Sequence, residues 1–273
     1  MTSGMVNIRE LAGWGLDDYE YRSQTSVHEK LAKAQLLVSS RSPFAQSDVL
    51  IKTPEIALGD KLSLHAARPD LLAEMSGLSW SLGIVDLRSL IAFQRRLTFR
   101  SEVPPLSIPA KNDWPALIAL SFGSSKPIEC ELIHDHSTRT VTIRSSNPNL
   151  HIRTTNDAAS PLSIQNAGPF FEVACFRGRW FLRDGYHRAY DLLRSGVFEV
   201  PAVVIQVSNL EDLGAAQPWF FPEEVLFSET PPLVTDFLND VLVIEYERPP
   251  LIKTLRITVE ETLTPATPTG EQL

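Results

Sequence analysis

Apolar and polar positions along this 273-residue chain alternate in short runs, and no stretch keeps one period for long. Residues 1–45 are polar, and their one periodic stretch predicts a helix over Val27–Val38. Residues 48–65 (DVLIKTPEIALGDKLSLH) read as short strands interrupted by Pro54 and Gly59. Arg68-Pro69-Asp70 predicts a helix start, running to Glu74 and Met75 and stopped by Gly77. Leu87, Leu90, Ile91, Phe93 and Leu97 then fall at helical spacing behind Asp86, which predicts an amphipathic helix with an aspartate cap.

The pattern changes after residue 114. WPALIALSF, CELIHD, RTVTIR and NLHIR are short alternating or β-branched runs between polar turns, and they predict a small antiparallel meander. FFEVACF and WFLRD, joined by Arg177-Gly178-Arg179, predict a hairpin. Asp184-Gly185 follows, then a helix with Ala189, Leu192 and Leu193 as its core stripe and Gly196 as its stop. Val200–Gln206 reads as a buried strand entered through Pro201. FPEEVLF and PPLVTDFLNDVLVIEY predict a further helix and strand, with Leu255–Glu261 pairing with Val241–Glu247 across Pro249-Pro250. The class is therefore α+β, a mixed sheet with an extra small antiparallel β region. Twenty prolines argue against a continuous helical bundle.

Charge divides the chain. Residues 208–273 carry twelve acids and three bases, so residues 1–207 hold about +1 of the total of −8. An acidic protein of this kind is a poor general binder of nucleic acid. Two arginine clusters stand out against that background. One is Arg88, Arg95, Arg96 and Arg100, and the other places five arginines within residues 177–194. The two cysteines, Cys130 and Cys175, have no metal-ligand spacing, and His134-Asp135-His136 reads as a solvated hairpin turn, so no metal site is expected. No apolar leader or membrane-length run is visible, which predicts a cytoplasmic protein with reduced thiols and no membrane partner.

The candidate chemistry lies in the strand–turn–helix at Asp184–Arg188. The free N–H groups at a helix N-terminus and the positive end of its dipole favour a bound phosphate, and Gly185, His187 and Arg188 stand there together. Arg188 brings a planar fork suited to phosphate, or else pairs with Asp184 or Asp191 in a structural ion pair. Asp184 caps the helix, holds Mg²⁺ or orients His187. Tyr186 packs or stacks on a base. Cys175, mid-strand among apolar neighbours, reads as inert. Glu172 and Asp86 are candidates for a base by position only.

Strand, D-G-Y-H-R, helix, Gly196, then Val200-Pro201 and a strand resembles the second half of the ParB/sulfiredoxin fold, over residues 171–206. A second, weaker match is L-x-x-L-x-x-x-Q-R at Leu87–Arg95, which would bring both arginine clusters to one pocket. The resemblance implies binding of a nucleotide (ATP, ADP or CTP), with Mg²⁺ as a candidate companion ion, through Asp184, Gly185, His187 and Arg188, with Arg95 and Arg183 as additional anion contacts. Hydrolysis or phosphoryl transfer would follow from the same site. Sulfiredoxins carry a cysteine just before H-R, and this chain has Tyr186 there, which argues against their sulfur chemistry. Chromosome-partitioning relatives continue into a helix-turn-helix domain, for which the acidic stretch 208–273 offers no counterpart. The alternatives are a nuclease-like DNA-associated protein and a non-catalytic scaffold. The division along the chain reads as an N-terminal extension over 1–47, and a ParB/sulfiredoxin-like domain over 48–207 with a β-rich insert at about 101–169. An acidic α/β extension over 208–263 and a disordered tail over 264–273 complete it. The oligomeric state is left open.

Overall fold

The computed structural model describes residues 4–22, 27–51, 56–100, 106–123, 128–147, 149–154, 162–166 and 168–263. The tail expected over 264–273 lies outside the described residues. The fold is α+β, as its sequence pattern predicts, and it divides into two compact units. The first comprises Met1–Ser125 and Gly168–Pro250, and the second Lys126–Ala167 and Leu251–Leu273.

Two sheets build the first unit. In one, β1 (Val6–Leu11) lies between β13 (Val243–Arg248) and β5 (Arg96–Arg100), antiparallel to both. The other is mixed. Its order is β2 (Leu50–Ile51), β3 (Ser79–Asp86), β12 (Glu199–Gln206), β10 (Glu172–Phe176), β11 (Arg179–Asp184) and β4 (Ile91–Ala92). The helices are α1 (Val27–Ser39), α2 (Ile56–Ala66), α3 (Pro69–Glu74), α4 (Trp114–Ser121), α5 (Tyr186–Arg194), α6 (Leu210–Leu213) and α7 (Glu223–Leu226). The core centres on Phe170, Phe171, Phe176, Phe181, Phe221 and Phe237, all essentially fully buried. Pro201 is tolerated within β12 for a positional reason. The Val203 N–H points to the β10 side, where it donates to the Phe171 carbonyl at 2.8 Å. Two residues earlier the Pro201 nitrogen points the same way, before the β10 pairing begins at Val203.

In the second unit β7 (Thr140–Ser145) lies between β14 (Lys253–Thr258) and β6 (Glu131–Asp135), and β8 (Leu150–Thr154) pairs with β9 (Leu162–Asn166). A hairpin turn is present there, but over residues 136–139, with His134 and Asp135 ending β6. Asp135 accepts from the Ser137 and Thr138 amides and the Ser137 hydroxyl, and the Ser137 bond leads in pulling its carboxyl down to about 2.

Several expectations are corrected. Residues 87–97 form no helix. After a single 3₁₀ turn at Leu87–Ser89, Leu90, Ile91, Ala92 and Phe93 are all buried in succession, which suits a strand buried on both faces and not one face of a helix. Asp86 does cap that turn, through the Arg88 amide at 2.9 Å. WPALIALSF is mostly helix α4, started by Asp113, whose carboxylate accepts from the Ala116 amide, and by Pro115 in the first turn. Most of the strand-like stretch 48–65 is α2. Leu255–Glu261 does not pair with Val241–Glu247. β13 joins β1 while β14 joins β7, since Pro249-Pro250 holds the chain extended where a hairpin would need a turn. The division into units also runs differently from that read along the chain. β1 is the central strand of its sheet, and the second unit joins residues 126–167 to the segment after Pro250.

Candidate functional site

The hairpin β10–β11 turns at Arg177 and Gly178, both with positive φ, and sets Glu172 directly opposite Asp184 beside a register shift. The chain then bends through Gly185 at φ 99° into α5. A Cβ at Gly185 would meet the Phe171 ring at 2.8 Å, so this turn needs glycine both for its dihedral and for its space. Ala189, Leu192 and Leu193 bury the inner stripe of α5, as predicted, and Gly196 at φ 75° ends it.

The structure brings Asp184, Gly185, His187 and Arg188 to one helix start, and it gives each a specific set of partners. The Ala189 N–H is the first to bond back, to the Gly185 carbonyl at 2.8 Å. The Tyr186, His187 and Arg188 amides before it have no acceptor among the described residues. The Asp184 carboxylate accepts from the Gly185 N–H at 2.5 Å. Burial pushes its pKa up, against the pull of Arg188. The exposed His187 ring lies edge-on to Phe99, its Nε2 2.9 Å from the Thr98 carbonyl. The dense surrounding protein lowers its pKa, against that bond.

Arg188 does not point a free fork outward. One guanidinium nitrogen donates to the Leu120 and Pro169 carbonyls at 3.0 and 2.5 Å, and the other to the Phe170 carbonyl at 2.6 Å. Its partners are therefore neither Asp184 nor Asp191, but the end of α4 and the segment leading into β10. Tyr186 is buried, and its hydroxyl accepts from the Phe93 and Gln94 amides. That fixes it as a packing residue.

Glu172 is fully buried. Arg183 donates to its Oε2 and, through Nε, to the Asp212 carbonyl. Burial outweighs the Arg183 charge, and the Asp184 and Glu74 carboxylates add to it, so the Glu172 pKa is pushed up to about 7. Glu172 is the residue whose chemistry the sequence showed only by position. Its signal was an acid in a strand otherwise apolar, FFEVACF, joined by the Arg177–Arg179 turn to a strand that ends in Arg183-Asp184.

Three arginines of the other cluster are committed to partners of their own. Arg88 pairs with Asp86 at 2.5 Å. Arg95 donates to the Gly15 and Phe220 carbonyls and lies over the Phe221 ring at 4.2 Å. Arg96 joins a buried network that sequence reasoning missed. In it, Glu10 accepts from Arg22, Arg96 and the Tyr246 hydroxyl, and Asp17 from Arg22 and Arg96. Its signal was the place of Glu10 in VNIREL, where the alternation begun by Val6 and Ile8 would put an apolar residue.

No family model, curated protein or solved structure matches this chain. Among the described residues no three His, Cys, Asp or Glu side chains converge on a metal position, and no helix is long and apolar enough to cross a membrane.

Proposed function

We propose that the first unit binds the phosphates of a nucleoside di- or triphosphate (ATP, ADP or CTP) at the N-terminal end of α5. The observation that carries this reading is the row of open amides at Tyr186, His187 and Arg188 that follows the left-handed Gly185. The exposed His187 ring beside those amides, whose Nε2 donates to the Thr98 carbonyl, gains a second donor at Nδ1 in the charged form that a bound phosphate would favour. Arg188 contributes positive charge from behind the turn, its own donors being held by three carbonyls. The Asp184 carboxylate, with one oxygen on Gly185, is the group that would face Mg²⁺ carried in by the nucleotide. Glu172, with its pKa near neutrality, is the group suited to take a proton in hydrolysis or phosphoryl transfer.

A thermal-shift panel of ATP, ADP and CTP, with and without Mg²⁺, tests the reading. One nucleotide at a hundred times its Kd should stabilise the protein by about 2.7 kcal/mol. His187→Ala should weaken that response about tenfold or more in concentration. No shift with any nucleotide at millimolar concentration sinks the proposal. That result would favour the second reading, a scaffold without ligand, which draws on the engagement of Arg188. Salt-dependent binding of oligonucleotides instead would favour the nuclease-like alternative.

A further inference from the structure

The second unit has an open edge. In the order β14–β7–β6, strand β6 lies outermost, and Glu131–Asp135 make no backbone hydrogen bond on the side away from β7 among the described residues. All five of its residues are exposed, including Leu132 at 52% and Ile133 at 42%. Edge strands of soluble proteins are usually blunted by a bulge, a proline or charge, and β6 has no bulge or proline, its only charges being the acids Glu131 and Asp135.

Alternation along the strand places Glu131, Ile133 and Asp135 on one face. That face therefore carries an acid, an apolar residue and an acid in sequence. At its Glu131 end opens a depression of about 240 Å³ lined by Glu131, Arg144, Ser145, Ser146 and Ile252. The Arg144–Glu131 contact is long, 3.4 Å, and exposed on both sides, so it only weakly neutralises Glu131.

We propose that β6 is a docking edge for an extended segment of another protein, added as a fourth strand and carrying a basic–x–apolar–x–basic pattern. Main-chain bonds to the open edge would hold the segment. An apolar residue would lie opposite Ile133, and basic residues opposite Glu131 and Asp135, one of them reaching into the depression. Charge decides against a second copy of this chain. Antiparallel pairing of two β6 strands about Ile133 sets Glu131 opposite Asp135 of the other copy, a like-charge pair on each side.

The test uses the full chain and a blocked peptide, Thr-Lys-Thr-Val-Thr-Lys-Thr, against the same peptide with both lysines changed to glutamate. At low salt the lysine peptide should shift the backbone amide resonances of Glu131–Asp135 with a Kd at or below about 1 mM. The E131K/D135K double variant should bind it at least about tenfold more weakly and prefer the glutamate peptide, and E131K alone, which leaves the Asp135 turn contacts intact, should weaken it in the same direction. The inference is overturned if the lysine peptide moves none of these resonances at several millimolar. Equal binding of both peptides, or self-association of the chain that E131K/D135K abolishes, overturns it too.

Discussion

Two buried charge clusters in the first unit satisfy their charges in opposite ways. At β1, charge answers charge. The fully buried Glu10 carboxylate is held by Arg22 at 2.7 and 2.9 Å, by Arg96 at 2.8 Å and by Tyr246 at 2.8 Å. Burial alone would raise the neighbouring Asp17, yet its bonds to Arg96 and Arg22 bring it below the ordinary carboxylate value. At the start of α5, charge is answered by backbone. Arg188 spends its donors on carbonyls, and the facing acids Glu172 and Asp184 are left short of compensation, with both pKa values raised. A closed network of opposite charges is what structure requires. Acids with raised pKa values beside open amides are the kind of arrangement that chemistry uses, and this contrast is what favours the second cluster in the proposed reading.

The contrast can be broken most severely at Glu10. Glu10→Ala leaves Arg22 and Arg96 buried without their main acceptor and should cost about 4 kcal/mol in urea unfolding. A loss below about 1 kcal/mol would mean the network is not structural.

The next effect is on pH. An acid whose folded pKa is raised from 4.5 to about 7 has its stabilising contribution fully present below pH 4.5 and loses it as pH rises through 7. Glu172 should therefore withdraw roughly 3 kcal/mol of stability across that window. Glu172→Gln should flatten this part of the profile, as followed by denaturant midpoints at several pH values. A wild-type profile that rises from pH 4.5 to 7, with the variant unchanged in shape, would show Arg183 compensating Glu172 as fully as Arg22 and Arg96 compensate Glu10.

The smallest expected effect is at Arg188. Arg188→Lys keeps the charge but cannot reach three carbonyls with a planar fork, and should cost about 2 kcal/mol. If it costs nothing and abolishes any nucleotide response, Arg188 contacts the ligand directly and its role is not one of support.

Local chemistry made the second cluster legible before any coordinates. A β-turn pair in Arg177-Gly178, a glycine before a helix and an apolar stripe at Ala189, Leu192 and Leu193 act over a few residues, and each element stands where its pattern placed it. What could not be read was set by partners distant in sequence. Leu90–Phe93 has the spacing of a helix face, and only pairing of Ile91 with Phe181 makes it a strand. WPALIALSF reads as β-like by its apolar run, and the Asp113 cap with Pro115 in the first turn makes it helix α4. The engagement of Arg188 was not legible, because its acceptors are backbone carbonyls, and those carry no residue signature.

The central position of β1 has a consequence for how the molecule assembles. Val6 pairs with Arg248 and Leu11 with Val243, so during synthesis β1 finds one of its two neighbours only after the long stretch between them has been made. Closing so long a loop is slow, and the buried Glu10 must wait for Tyr246 to arrive. Until then β1 offers an unpaired edge and a charge without its full shell, the state in which a nascent chain most needs a chaperone.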